Sequence, residues 1–242
     1  MNYAHDNKTQ VLLILLVLSI SLVGGILISG GVSEEVEAQS GYTVDTDFTG
    51  HTGEVNTLKV LDSGRIISGG KNSVKIWNPD TGNTDLTFTE HSQRVESTLQ
   101  LDDGRVLTGS YFNNGLIWNP NDGIVDLTFA KQDGVTTSVQ LEDGRVLTGA
   151  YRDSFKLWNP TTGNVDNTFN IHSGRINDLK KLPDGRVAST SIDGTVKVWN
   201  PTTGNVDLTF TKHNAVPRTI SVIGDGKIVT AADSVFKIWN YN

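Results

Sequence analysis

The chain has 242 residues, 36% hydrophobic and 19% charged, a size for one large domain or two small ones. Its 20 Lys and Arg against 27 Asp and Glu leave a formal net charge of −7, which argues against recognition of nucleic-acid phosphates or anionic lipid headgroups. Having no cysteine excludes disulfides, zinc-thiolate sites, a cysteine nucleophile and an acylated-cysteine anchor, while 25 glycines against 6 prolines suggest many tight turns between short strands.

Residues 11–31 carry no charged side chain, and a helix of that length crosses a hydrocarbon core of ~30 Å. The segment reads as a single transmembrane helix; the alternative is a cleaved signal peptide, although its apolar run is long and Val36-Glu37-Ala38 is a poor cleavage site beyond Glu34 and Glu35. Lys8 precedes the run and no Lys or Arg follows until Lys59, so residues 1–10 are expected in the cytoplasm and the rest outside it, or secreted if the segment is removed. Ser21, Gly25 and Ser29 form a small-residue stripe that would let a second membrane helix approach closely. Residues 32–41, with three glutamates, read as a polar linker to a domain over 42–242.

From there the chain repeats. Trp77, Trp118, Trp158, Trp199 and Trp239 are 41, 40, 41 and 40 residues apart, each preceded by an aliphatic residue and followed by Asn. Residues before them alternate, as in Thr195-Val196-Lys197-Val198-Trp199, the period of a strand with one buried face. Upstream lies a Ser-Gly or Asp-Gly turn ending in Arg65, Arg105, Arg145, Arg186 or Lys227, and downstream of the first four tryptophans a Gly turn leads to Asp-x-x-Phe. Each unit thus predicts four short strands.

These units resemble the WD40 repeat family of β-propellers. The resemblance rests on the period, the tryptophan closing the third strand, and His51, His91, His172 and His213 (with Gln132 in the remaining slot) 26 or 27 residues before it. It implies a structural hydrogen-bonded set of His, Trp and a Ser or Thr on the second strand, here Ser68, Thr108, Thr148, Ser189 and Thr230, with a completing Asp at Asp193 and at Asp233. The Trp-Asp pair of the family is Trp-Asn throughout, and only Gly50-His51 keeps the Gly-His pair. The last unit lacks an outer strand after Trp239, whereas Phe48 continues the series Phe88, Phe129, Phe169, Phe210, so residues 42–49 are expected to supply that strand and close an all-β, five-bladed propeller. The rival is an incomplete ring that pairs with another chain.

The resemblance implies recognition rather than chemistry: a membrane-anchored, non-catalytic scaffold for a protein partner. Alternatives are an accessory subunit of a larger membrane complex, a secreted lectin-like propeller, and a hydrolase or lyase with carboxylates gathered only by the fold. No cofactor is expected. Loops such as Asp80–Asp85 read as Asx turns rather than calcium sites, and the turn cations as solvated charges rather than an anion-binding ring. Departures from the repeat mark the candidate partner surface: Lys71, Tyr111, Phe112, Tyr151 and Arg152 between second and third strands, and Arg94, Arg175 and Arg218 after the His slot. In a propeller these two loop sets share the face opposite the Asp-Gly-Arg turns.

Overall fold

A computed structural model describes residues 46–111, 114–129, 132–152 and 154–242. Within them the alternating apolar runs form strands and the Gly-containing segments form turns. The first sheet is β1 (Thr57–Val60), β2 (Ile66–Gly69), β3 (Val74–Trp77) and β4 (Thr84–Phe88). The second is β5 (Val95–Gln100), β6 (Val106–Ser110), β7 (Gly115–Trp118) and β8 (Val125–Phe129); the third is β9 (Val135–Gln140), β10 (Val146–Ala150), β11 (Phe155–Trp158) and β12 (Val165–Phe169). The fourth is β13 (Ile176–Lys181), β14 (Val187–Ser191), β15 (Val196–Trp199) and β16 (Val206–Phe210), and the fifth β17 (Thr219–Gly224), β18 (Lys227–Ala232) and β19 (Val235–Asn240). Every sheet is an antiparallel meander in chain order, and each packs its first strand against the first strand of the next.

Turn chemistry sets this register. Gly104, at φ +86°, adopts the left-handed backbone that lets Asp103-Gly104 reverse the chain between β5 and β6, and Leu101 N–H then bonds Arg105 C=O at 2.8 Å. In the β3–β4 connection the Asn78 side-chain carbonyl accepts the N–H of Asp80 at 2.9 Å and of Thr81 at 3.2 Å, the Asx turn expected of these loops.

The cores lie between sheets rather than within them. Val74, Ile76 and Phe88 of the first sheet pack with Val95, Val106 and Trp118 of the second, and equivalent clusters join second to third, third to fourth and fourth to fifth. Phe88 stacks on Trp118 at 4.2 Å and Phe129 on Trp158 at 4.4 Å, so the outer-strand phenylalanine of one unit fills the tryptophan slot of the next.

The structural residues implied by the resemblance fall into place. Trp77, Trp118, Trp158, Trp199 and Trp239 donate their indole N–H to Ser68, Thr108, Thr148, Ser189 and Thr230 at 2.7–3.1 Å. The same hydroxyls meet Nε2 of His51, His91, His172 and His213 at 2.7–2.8 Å, and in the third sheet Thr148 donates to the Gln132 side-chain carbonyl at 2.5 Å. Only the fourth sheet completes the chain among the described residues: His172 Nδ1 lies 2.9 Å from Asp193, which also accepts the Ser173 N–H at 3.0 Å. A neutral ring whose Nε2 accepts the hydroxyl proton fits these distances. Burial favours that state, pushing His91 down to about 4 and lowering His51, His172 and His213. Burial opposes ionisation of Asp193, yet Thr195, the Ser173 amide and His172 hold its carboxyl at about 2.

One expectation ends differently, and one lies outside the described residues. The fifth sheet has three strands, and residues 46–49 form no strand beside β19; residues 42–45 lie outside the described residues. Phe48 instead packs edge-on against Trp77 at 5.6 Å, and Thr46 lies against Gly82, so this segment is held by the first sheet. Residues 11–31, with Ser21, Gly25 and Ser29, lie outside the described residues, among which no helix is long and apolar enough to cross a membrane.

Candidate functional site

Four of the repeat-breaking residues meet on one face. The turn after β6 starts with the Tyr111 N–H bonded to Arg94 C=O at 2.8 Å, which ties the Tyr111 loop to the stretch entering β5. Tyr111 contacts Tyr151, from the turn after β10, in an edge-to-face pair 4.6 Å between centroids at 71°. The Arg175 guanidinium, from the stretch entering β13, lies 5.4 Å from the Tyr151 ring and 5.9 Å from Tyr111, and the Arg94 guanidinium lies 5.4 Å from the Tyr111 ring. Second, third and fourth sheets therefore each contribute to one aromatic and cationic cluster.

Glu96, on β5, sits beneath it. Its carboxylate is 2.5 Å from Arg94 and 3.5 Å from Arg175, and with a side chain only 12% exposed it partly neutralises two cations that would otherwise repel. The arginine nitrogens are unevenly satisfied: Arg175 Nε is buried without a hydrogen-bond partner. The hydrogen bond with Tyr151 raises the Tyr111 phenol above its ordinary range, burial adds to this, and the two arginines oppose it. The surface thus offers flat aromatic area, guanidinium donors and one excess positive charge.

The other predicted residues divide. Lys71 lines, with Thr52, Gly53, Glu54, Asn56 and Arg94, a shallow depression of about 320 Å³ beside the cluster. Arg152 turns to Asp133 at 3.7 Å, both side chains largely exposed. Phe112 lies outside the described residues. Arg218 stands apart from the arginines with which it was grouped: its N–H bonds Ala231 C=O just as Asn56 N–H bonds Gly69 C=O, which puts it in the repeat slot of Glu96, not that of Arg94 and Arg175. Glu96 was missed, although its place four or five residues after the His slot, where other units have Asn56, Thr136, Asn177 and Arg218, was a visible signal.

Three of the turn cations, Arg65, Arg105 and Arg186, staple neighbouring sheets, while Arg145 pairs with Asp143 and Asp166 of its own sheet. Arg105 pairs with Asp103 at 2.7 Å and donates to Pro160 C=O, in the β11–β12 turn of the third sheet, at 3.1 Å. Arg65 reaches Asn121 at 2.7 Å, and Arg186 reaches Tyr241 C=O at 2.9 Å.

Comparison with known proteins agrees with this geometry. The family model described as WD40: WD domain, G-beta repeat matches residues 42–78 and 163–200. No curated protein matches the sequence. Among solved structures, the WD40 β-propeller domain of Doa1 is similar with a TM-score of 0.71 at 25% identity, over 79% of this chain and 65% of that one. The computationally designed Ika8 protein gives 0.68 at 26% identity, over 80% and 60% respectively, so this chain spans less than two thirds of either. The tryptophan-hydroxyl-histidine sets, the serial four-stranded sheets and these matches together make the chain a WD40-like β-propeller.

Proposed function

We propose that this chain is a non-catalytic scaffold, held in a membrane by residues 11–31 with its propeller on the extracytoplasmic side, and that a protein partner docks on the face of Tyr111, Tyr151, Arg94 and Arg175. A WD40-like propeller supports the interaction role in general terms. The observation that carries the specific reading is the gathering of two tyrosines and two arginines from three sheets, residue types that bury large area at modest entropic cost. A partner that suits it presents carboxylates beside apolar groups, since the cluster retains one positive charge over Glu96 and an unsatisfied guanidinium N–H.

The test is recovery of partners from solubilised membranes with the full chain and with Tyr111→Ala/Tyr151→Ala. Expected is loss of partner recovery with the melting transition retained; undiminished recovery would reject the face. Orientation is checked by adding protease to intact cells. Cleavage of the domain supports the placement of Lys8 in the cytoplasm, and protection until permeabilisation reverses it.

A further inference from the structure

Arg94 and Arg175 hold the same place in their sheets, each being the residue just before the first strand, β5 or β13, yet their surroundings differ. Arg94 commits its fork to Glu96: Nε donates to Oε1 at 2.7 Å, and a terminal nitrogen lies 2.5 Å from the same oxygen. Arg175 reaches from the fourth sheet past the third, where that place is taken by Gly134, and meets only the other oxygen, Oε2, at 3.5 Å through one terminal nitrogen. Among the described residues this is the only hydrogen bond of its side chain, and its Nε is buried with no partner.

The Arg175 guanidinium lies against both Tyr151 and Tyr111, and its side chain is 25% exposed against 41% for Arg94. Its main-chain carbonyl accepts the Ile192 N–H at 3.0 Å, which fixes the point from which the side chain sets out. A guanidinium so placed has lost much of its water and rests on rings that suit a planar cation. Lost hydration of a charge is costly unless a hydrogen-bonded counter-charge replaces it, and Glu96, committed to Arg94, replaces little of it. The group that matches the open edge of a planar fork is a carboxylate, whose two oxygens meet two parallel N–H donors. Two arginines against one glutamate leave one positive charge, so a single carboxylate neutralises the cluster whereas a doubly charged phosphate overshoots.

We propose that Arg175 is the residue that receives the partner, binding one of its carboxylates in two parallel hydrogen bonds beside Tyr111 and Tyr151. Glu96 is then a positioning residue that keeps Arg94 occupied and confines the site to a singly charged ligand. This rests on the reading of the face as a docking surface and adds which group docks and on which side chain. An Asp or Glu side chain and a chain-terminal carboxylate offer the same two oxygens.

The experiment titrates the full chain in detergent with short synthetic peptides, followed by calorimetry. Four probes share the core Leu-X-Phe: X is Asp with both ends blocked, Asn with both ends blocked, Asn with a free terminal carboxylate, and phosphoserine with both ends blocked. The better of the two carboxylate probes is expected to bind about tenfold or more tightly than the blocked Asn and phosphoserine probes, and which of the two is better identifies the source of the carboxylate. Arg175→Lys, which keeps the charge and loses the planar fork, should weaken that probe about tenfold or more, and Arg94→Lys less than about threefold. Glu96→Gln leaves a second positive charge uncompensated and should turn the preference toward phosphoserine, a reversal that a loss of packing does not produce. Melting checks the fold of each variant, and the comparison of probes on the unaltered chain needs no variant. Equal binding of the carboxylate and blocked Asn probes, or no binding of either, overturns the proposal. So does a preference of the unaltered chain for phosphoserine, or a loss from Arg94→Lys as large as that from Arg175→Lys. If the carboxylate preference fails while Tyr111→Ala/Tyr151→Ala still abolishes partner recovery, the docking face stands and only its ligand is misassigned; if both fail, the face falls with it.

Discussion

At the residue scale, the hydroxyl-centred sets show how one geometric role is filled by two chemistries. Gln132 offers Thr148 a carbonyl that never titrates, and His91 offers Thr108 a ring nitrogen that does. Burial holds folded His91 at about 4 against an ordinary 6.5, so between those values the unfolded chain binds a proton the folded chain refuses. Its contribution is complete above pH 6.5 and is lost as pH falls toward 4, a change of roughly 3 kcal/mol at most. His91→Gln, copying the third sheet, is expected to flatten the stability profile over pH 4–6.5 in denaturant titrations; an unchanged slope would mean that His91 is not the group responsible. His51, His172 and His213 shift in the same direction and leave a residual slope. Trp158, wholly packed against Phe129 and bonded to Thr148, tests the packing: Trp158→Ala should cost about 3–5 kcal/mol in chemical unfolding.

At the element scale, each sheet is shaped by how closely the next one approaches. Gly109 on β6 has no room for a side chain: an added Cβ would lie 2.5 Å from Val135 Cγ1 and 2.7 Å from the Val135 carbonyl oxygen, which cannot swing away. Gly109→Ala is therefore expected to destabilise by about 1–3 kcal/mol, while Gly115→Ala on β7, whose nearest neighbours would be 3.5 Å away, should be near neutral. Thermal melting of the two variants distinguishes close sheet approach from any general intolerance of alanine in strands. The strands, their turns and the buried faces were legible from the period of 40–41 and the Asp-Gly and Asn-Pro-x-x-Gly punctuation, because a unit of that length carries its own hairpins. The role of the turn arginines was not legible: Arg105 and Arg186 next to an aspartate look locally satisfied, and the carbonyls they staple lie 55 residues away.

At the scale of the whole molecule, one repeat position reports two environments. Ile117→Ala should cost about 2–5 kcal/mol, since the third sheet seals it, whereas Ile238→Ala should cost under about 1 kcal/mol because its side chain is already largely in water. Equal costs, measured by chemical unfolding, would show that β19 is covered in solution. The candidate face was half legible in the same sense. Departures from the repeat singled out Tyr111, Tyr151, Arg94 and Arg175, because a position freed of the common structural duty stands out in an aligned repeat. That Glu96 links the two arginines, and that Arg218 sits in the slot of Glu96 on another sheet, depends on which way each loop turns across neighbouring units.

The sequence by itself determined the units: five of them, their strand order, the tryptophan-hydroxyl-histidine sets and the apolar face each turns to its neighbour. All of these are written within one period or between adjacent periods, where the pattern of residue types is decisive. Only the tertiary structure decided whether Phe48 and its neighbours join the fifth sheet or stay with the first. Closure is the sum of four small rotations between sheets, each set by fine packing of side chains such as Phe88 on Trp118 or Phe155 beside Trp199, and no single residue pattern encodes that sum.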